Sequence, residues 1–205
     1  MTYVLINRQG SGGFVVEAAL AMARVDYRVE LLDSPVSTPL PESFAAINPW
    51  RQVPVLDLPD GTRMTESAAM LIHLAGAHPE AGIAPAPGDV AHPAFLRWTL
   101  FIATTIYEAM LRRTYPERII ADPDQHDAVR ASANARMKAA FDLLEGELAA
   151  SGYLCGDRLS VADVYLAMLY FWFDRSLALP RCGALVSQVR DDPVTGPIWK
   201  ASFER

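Results

Sequence analysis

A single hydroxyl stands among three glycines at Gly10-Ser11-Gly12-Gly13. Glycine lets a backbone approach a ligand closely, and consecutive N–H groups in such a loop can hold an anion. Ser11 then has two readings: a hydrogen-bond donor to a ligand, or a cap on the helix that follows. The loop is not a phosphate-binding P-loop, because no Lys-Ser/Thr pair follows Gly13. Nor is it a GxGxxG fingerprint. The cysteines, Cys155 and Cys182, form no CxxC pair and no zinc set. Cys155 reads as a buried, inert thiol. The histidines, His73, His78, His92 and His126, lie on separate segments without metal-ligand spacing, so no metal is expected.

The elements that must position that loop follow from the apolar pattern. Residues 2–6, TYVLI, read as a buried strand, and Phe14 to Val25 as an alanine-rich helix. Residues 27–32 read as a second strand, and Pro39 to Ile47 hold room for a short helix. Val53 to Leu58 reads as a third strand. The turn signal Pro59-Asp60-Gly61-Thr62 leads to a short fourth strand near Arg63-Met64. Residues 66–76 read as a helix. A proline-rich stretch with Pro79, Pro85, Pro87 and Pro93 breaks helix and marks a linker. Beyond it the apolar positions recur at helical spacing: Phe95, Trp98, Ile102, Ile106, Met110; Val129, Ala133, Met137, Ala140, Leu144; Val161, Val164, Met168 and Phe171. The domains expected are therefore 1–78, α/β; a linker at 79–92; and 93–205, all-helical. Leu159-Ser160-Val161-Ala162-Asp163-Val164 fits a capped helix start, with a hydrophobic staple from Leu159 to Val164.

Composition bounds the function. The chain has 205 residues, 51% hydrophobic and 20% charged, with a net charge of −6. That suits a folded chain able to build its own core. A duplex nucleic-acid binder needs a basic face, and an acidic chain lacks one. The N-terminus carries no secretory signal pattern, and no apolar run reaches the 18 or so residues of a membrane span. The expectation is a cytoplasmic protein with neither nucleic-acid nor membrane partner.

Three local patterns, in order along the chain, carry a family resemblance. Asn48-Pro49-Trp50-Arg51-Gln52-Val53-Pro54-Val55-Leu56 is similar to the "NPxxxVPxL" segment of the cytosolic glutathione transferases. Thr65-Glu66-Ser67-Ala68-Ala69-Met70 is similar to their "ESxAI" helix start, and Gly156 to Asp163 to their "GdxxSxAD" segment. With the βαβ–α–ββα order, the linker and the helical half, the resemblance spans nearly the whole chain. It implies a thioredoxin-like N-terminal domain, an all-α C-terminal domain, and glutathione as cosubstrate.

The resemblance also implies roles. Pro54 would follow a cis bond and present the Val53 backbone to the cysteinyl part of glutathione. Glu66 and Ser67 would take the γ-glutamyl end, where a helix N-terminus favours an anion. Arg51 and Gln52 would contact the glycyl end. No Tyr or Cys lies in the loop after the first strand, which leaves Ser11 where serine-type members carry their serine. Either Ser11 or the N–H groups of Gly12 and Gly13 would stabilise the thiolate. A small electrophile would lie against Phe14, Trp98, Tyr107 and Met110 between the domains. The run Arg112 to Arg118 either attracts an anionic cosubstrate or is a solvated helix end. A homodimer is implied. Glutathione-dependent isomerase, lyase or peroxidase activity, and a non-catalytic binding or assembly module of the same fold, remain open beside transfer.

Overall fold

The computed structural model describes residues 2–148, 150–173 and 177–204. In chain order the main elements are β1 (Tyr3–Asn7), α1 (Gly13–Met22), β2 (Tyr27–Leu31), β3 (Val55–Asp57), β4 (Arg63–Met64) and α2 (Ser67–Ala77). The helices α3 (His92–Phe101), α4 (Glu108–Thr114), α5 (His126–Glu147), α6 (Val161–Phe173), α7 (Pro180–Asp191) and α8 (Thr195–Phe203) follow. The chain divides into two compact units, Met1–Asp89 with Gln188–Arg205, and Val90–Ser187.

The first unit is built on a four-stranded sheet of order β2-β1-β3-β4, with β1 parallel to β2 and antiparallel to β3. This is the thioredoxin-like arrangement expected from the sequence. β1 and β3 are the inner strands, each with a neighbour on both sides, and their Leu5, Ile6, Val55 and Leu56 are buried. Ile6 and Val55 face Leu40 and Phe44, which come from a 3₁₀ turn at Glu42–Ala46. The segment expected to hold a short helix thus forms this turn. On the other face lies α1, buried on nearly every side, which explains its lack of a polar stripe. Its Phe14 ring meets Trp199 edge-on at 5.3 Å and Phe203 at 5.0 Å. These aromatic contacts draw α8 onto α1, so the last residues join the first unit, whereas the sequence reading assigned all of 93–205 to the helical domain. Gly196 is required there: a Cβ would lie 2.4 Å from the Arg190 carbonyl oxygen.

The second unit is helical. The stripe from Phe95 to Met110 is one helix interrupted by a π-helical stretch at Ile102–Tyr107. There the Thr104 hydroxyl donates to the Leu100 carbonyl at 2.9 Å, and such back-bonding disturbs a helix. Helix α6 is buried from Val161 to Tyr170, as the central helix of its unit. Its start is tied to Asp163. The carboxylate accepts from Ser160 N (2.8 Å), Ser160 Oγ (2.6 Å) and Leu154 N (2.8 Å). This is half of the expected capping box; the serine hydroxyl donates to the acid rather than accepting from the helix. At the other end, Arg113 donates to the carbonyls of Phe173 (3.0 Å) and Trp172 (3.4 Å). Glu145 on α5 accepts from Arg181 N and Cys182 N, both at 2.9 Å, and so caps α7.

Candidate functional site

Strand polarity gathers the sequence-predicted residues of the first unit at one end of the sheet. The register pairs Ile6 with Val55 and Leu56 with Met64. The C-terminal end of β1, the N-terminal end of β3 and the C-terminal end of β4 therefore lie side by side. The three loops that leave this edge carry Ser11, Arg51 to Pro54, and Glu66-Ser67.

The first loop is organised by Asn7, which the sequence reading did not single out. Ile6 faces the Leu40–Phe44 cluster, so Asn7 faces α1. Its Oδ1 accepts the Ser11 hydroxyl at 2.6 Å, and Ser11 Oγ in turn accepts from Gly13 N at 3.2 Å. Gly13 lies so close that a Cβ there would sit 2.0 Å from Asn7 Oδ1 and 2.3 Å from Nδ2. Ser11 is half-buried. In this geometry Ser11 caps the helix start, and its proton is given to Asn7.

The second loop precedes a cis bond between Val53 and Pro54, as expected. Asn48 holds it: Nδ2 donates to the Gln52 carbonyl (2.8 Å), and Oδ1 accepts from Trp50 N (3.0 Å). Arg51 is exposed, with a left-handed φ of 51°. The third loop ends at Glu66, whose φ is 68°, and its carbonyl accepts from Met70 N as α2 begins. Non-glycine residues cost free energy in this region and cluster at ligand sites. Glu66 is exposed and Ser67 buried. The signal for Asn48 was present in the motif, where an amide before a proline reads as a turn organiser. For Asn7 the only signal was a polar residue closing an apolar strand.

Residues 15–77 match the N-terminal domain of glutathione S-transferases, and residues 127–196 match the C-terminal domain. The chain belongs to the glutathione S-transferase family. Glutathione S-transferase GstA of Escherichia coli O157:H7 is 25% identical over 131 residues, which span 64% of this chain and 62% of that protein. A sphingomonad glutathione S-transferase solved in complex with glutathione superposes with a TM-score of 0.82 at 26% identity, covering 98% of this chain and 100% of that one. A glutathione transferase from Methylococcus capsulatus gives a TM-score of 0.82 at 29% identity, with 98% of each chain covered.

Within this family member, the residues expected to line a second-substrate pocket fall in different units. Phe14 is buried in the aromatic cluster with Trp199 and Phe203. Trp98 and Met110 are buried in the second unit; the Arg97 guanidinium lies 4.0 Å over the Trp98 ring. Tyr107, in the π-helical stretch, is half-buried and meets Tyr165 and Trp172 edge-on, each at 6.0 Å. The basic run is engaged locally. Arg112 pairs with Glu108, Arg113 caps α6, and Arg118 stacks 3.9 Å over Tyr115. Burial pushes the Cys155 thiol up to about 12, and burial beside Glu145 pushes Cys182 up as well, so neither is a thiolate near neutrality. Among the described residues, no helix is long and apolar enough to cross a membrane.

Proposed function

We propose that this glutathione transferase binds glutathione along the gathered sheet edge and holds it as the thiolate for attack on a small hydrophobic electrophile. The observation that carries the reading is the convergence of three loops on one edge, each with the polar equipment for one part of a tripeptide. Arg51 and Gln52 meet the glycyl end. The Val53 backbone pairs with the cysteinyl residue as an added strand would. Glu66 and Ser67 meet the γ-glutamyl amine and carboxylate at the start of α2. The sulfur then falls to the loop at the start of α1, where the helix dipole favours negative charge. Ser11 serves the thiolate from that loop.

A free thiol titrates near pH 8.5, and lowering that by two units takes about 2.7 kcal/mol of differential stabilisation. A helix start and oriented donors can supply this together. The active protein is a cytoplasmic homodimer in this reading. Light scattering at micromolar concentration that returns only monomer removes the dimer.

The deciding experiment is an ultraviolet difference titration of bound glutathione on wild type and Ser11→Ala. A thiolate band with a midpoint well below that of free glutathione, moved upward in the variant, is the expected result. A second reading, a binding module without chemistry, draws on the glycine-rich loop with its lone serine already engaged by Asn7. Binding with an unshifted thiol favours that module, and no binding refutes both readings. Product analysis on an electrophile, peroxide and isomerisation panel separates transfer from the alternative glutathione chemistries.

A further inference from the structure

We infer that the side-chain donor to the glutathione sulfur is the Asn7 carboxamide, through Nδ2–H, and that Ser11 acts by orienting it. The inference rests on the glutathione reading above and names the group that does the work in it.

Asn7 is only 4% exposed, yet it carries a polar group that its neighbours use on one side alone. Oδ1 takes the Ser11 hydroxyl proton at 2.6 Å. Among the described residues, Nδ2 has no hydrogen-bond partner. Nδ2 is not sealed from solvent, so a ligand can reach its unspent donors. Its backbone is fixed independently, since the Asn7 carbonyl accepts from Leu32 N at 2.8 Å.

The placement fits a sulfur. Extending the Ile6–Val55 register by one residue sets Asn7 opposite Pro54, beside the Val53 backbone that the cysteinyl residue would pair with. The amide also lies against the first turn of α1, in the space a side chain at position 13 would fill. The strand end thus supplies the polar group that Gly12 and Gly13 lack.

Ser11 decides which way the amide points. A carboxamide is nearly symmetric in shape, so its orientation is set by its hydrogen bonds. A hydroxyl whose oxygen already accepts from Gly13 N presents its proton to Asn7. That proton selects Oδ1 and turns Nδ2 away from Ser11. Asn7 is then the catalytic donor and Ser11 a positioning residue. No proton changes hands at Asn7; the amide donates a hydrogen bond to the thiolate, and the thiol proton leaves to solvent.

The test uses the bound-glutathione titration on the full chain with Asn7→Ala, Asn7→Asp, Ser11→Ala and the Asn7→Ala/Ser11→Ala double variant. Removing the donor raises the midpoint by about one pH unit, a tenfold change in the ionisation constant of the bound thiol. Asn7→Asp raises it further, because a like charge disfavours the thiolate. Ser11→Ala raises it less, and the double variant equals Asn7→Ala alone, because Ser11 works through Asn7. A second measurement needs no variant. The Asn7 side-chain amide resonances of ¹⁵N-labelled wild type should move with the thiol midpoint in the glutathione complex and stay still with S-methylglutathione. Asn7 variants at the wild-type midpoint, or amide resonances fixed through the titration, overturn the inference while the glutathione reading stands. Wild type that binds no glutathione refutes that reading, and the inference falls with it.

Discussion

Two serines stand at two helix starts, each giving its proton to a neighbouring side chain at 2.6 Å, and they serve opposite ends. Ser160 gives its proton to Asp163, a carboxylate that can only accept. That acid is wholly occupied by two backbone N–H groups and one hydroxyl in a buried site. Ser11 gives its proton to Asn7, a carboxamide that still has donors to offer, in a loop of glycines. A satisfied buried network rigidifies and specifies a core. On the reading proposed above, the first serine then serves stability and the second serves chemistry.

The largest effect expected on that comparison comes from Asp163→Ala. It leaves Leu154 N and Ser160 N without an acceptor inside a core, which costs on the order of 3 kcal/mol or more. Urea denaturation should register the loss, and Asn7→Ala should cost clearly less. The reverse ranking would erase the distinction between the two serines. The acid also carries a pH signature. Burial pushes Asp163 up to about 6, above an unfolded aspartate near 4. The proton-linked part of its contribution to stability is then fully present below about pH 4 and is lost as pH rises through 6, while the carboxylate keeps its backbone hydrogen bonds. Wild type should therefore lose stability relative to Asp163→Asn between those pH values, followed by urea midpoints in matched buffers.

Gly13→Ala strikes the other site directly. The new methyl would overlap the Asn7 carboxamide at 2.0 to 2.3 Å, so the amide must swing out. Overpacking of this kind costs about 1–3 kcal/mol. Transferase activity toward a model electrophile should fall by tenfold or more. If activity survives intact, the Asn7–Ser11 pair is only a cap, and the two serines are alike after all.

Asn48→Ala is gentler. It removes both bonds that hold Trp50 and Gln52, worth about 1 kcal/mol each. Calorimetry should show glutathione binding weakened severalfold, while the bound-thiol midpoint stays near wild type. A shifted midpoint would mean that the second loop, and not only Asn7, controls the sulfur.

How much of this was legible beforehand follows the same division. β1, α1, β3 and α2 were readable because burial writes itself into apolar runs and periodicity. The loop residues from Arg51 to Ser67 were readable through motif resemblance, because their types and spacing are local in the chain. Asn7 was not, since its meaning depends on Ser11 and Gly13 lying against it across a turn. The place of α8 in the first unit was equally hidden: the Phe14–Trp199 contact joins residues far apart in sequence, and no local pattern encodes it. The π-helical stretch, too, carries no local signal, since its residues are ones any helix could hold.

The smallest effect belongs to a polar contact that is neither buried nor waiting. Arg63 Nε and Nη2 meet Asp57 Oδ1 and Oδ2 at 2.6 and 2.8 Å, at the end of β3 away from the site. The Arg63 hydrogen bond, with its charge, holds the Asp57 carboxyl below the usual aspartate range against a partial desolvation. A depressed carboxylate contributes stability above its unfolded pKa and loses it as pH falls through the folded one. The contribution is therefore intact at neutrality and fades below about pH 4. Because the pair lies at the surface, with Arg63 exposed and Asp57 half-buried, solvent screens it, and Arg63→Ala should cost only about 0.2–1 kcal/mol at pH 7. Added salt should narrow even that gap, and glutathione affinity should not move. A larger cost, or a loss of binding, would mean that the far end of the sheet is coupled to the site. The separation of folding contacts from chemical ones would then fail within a single unit.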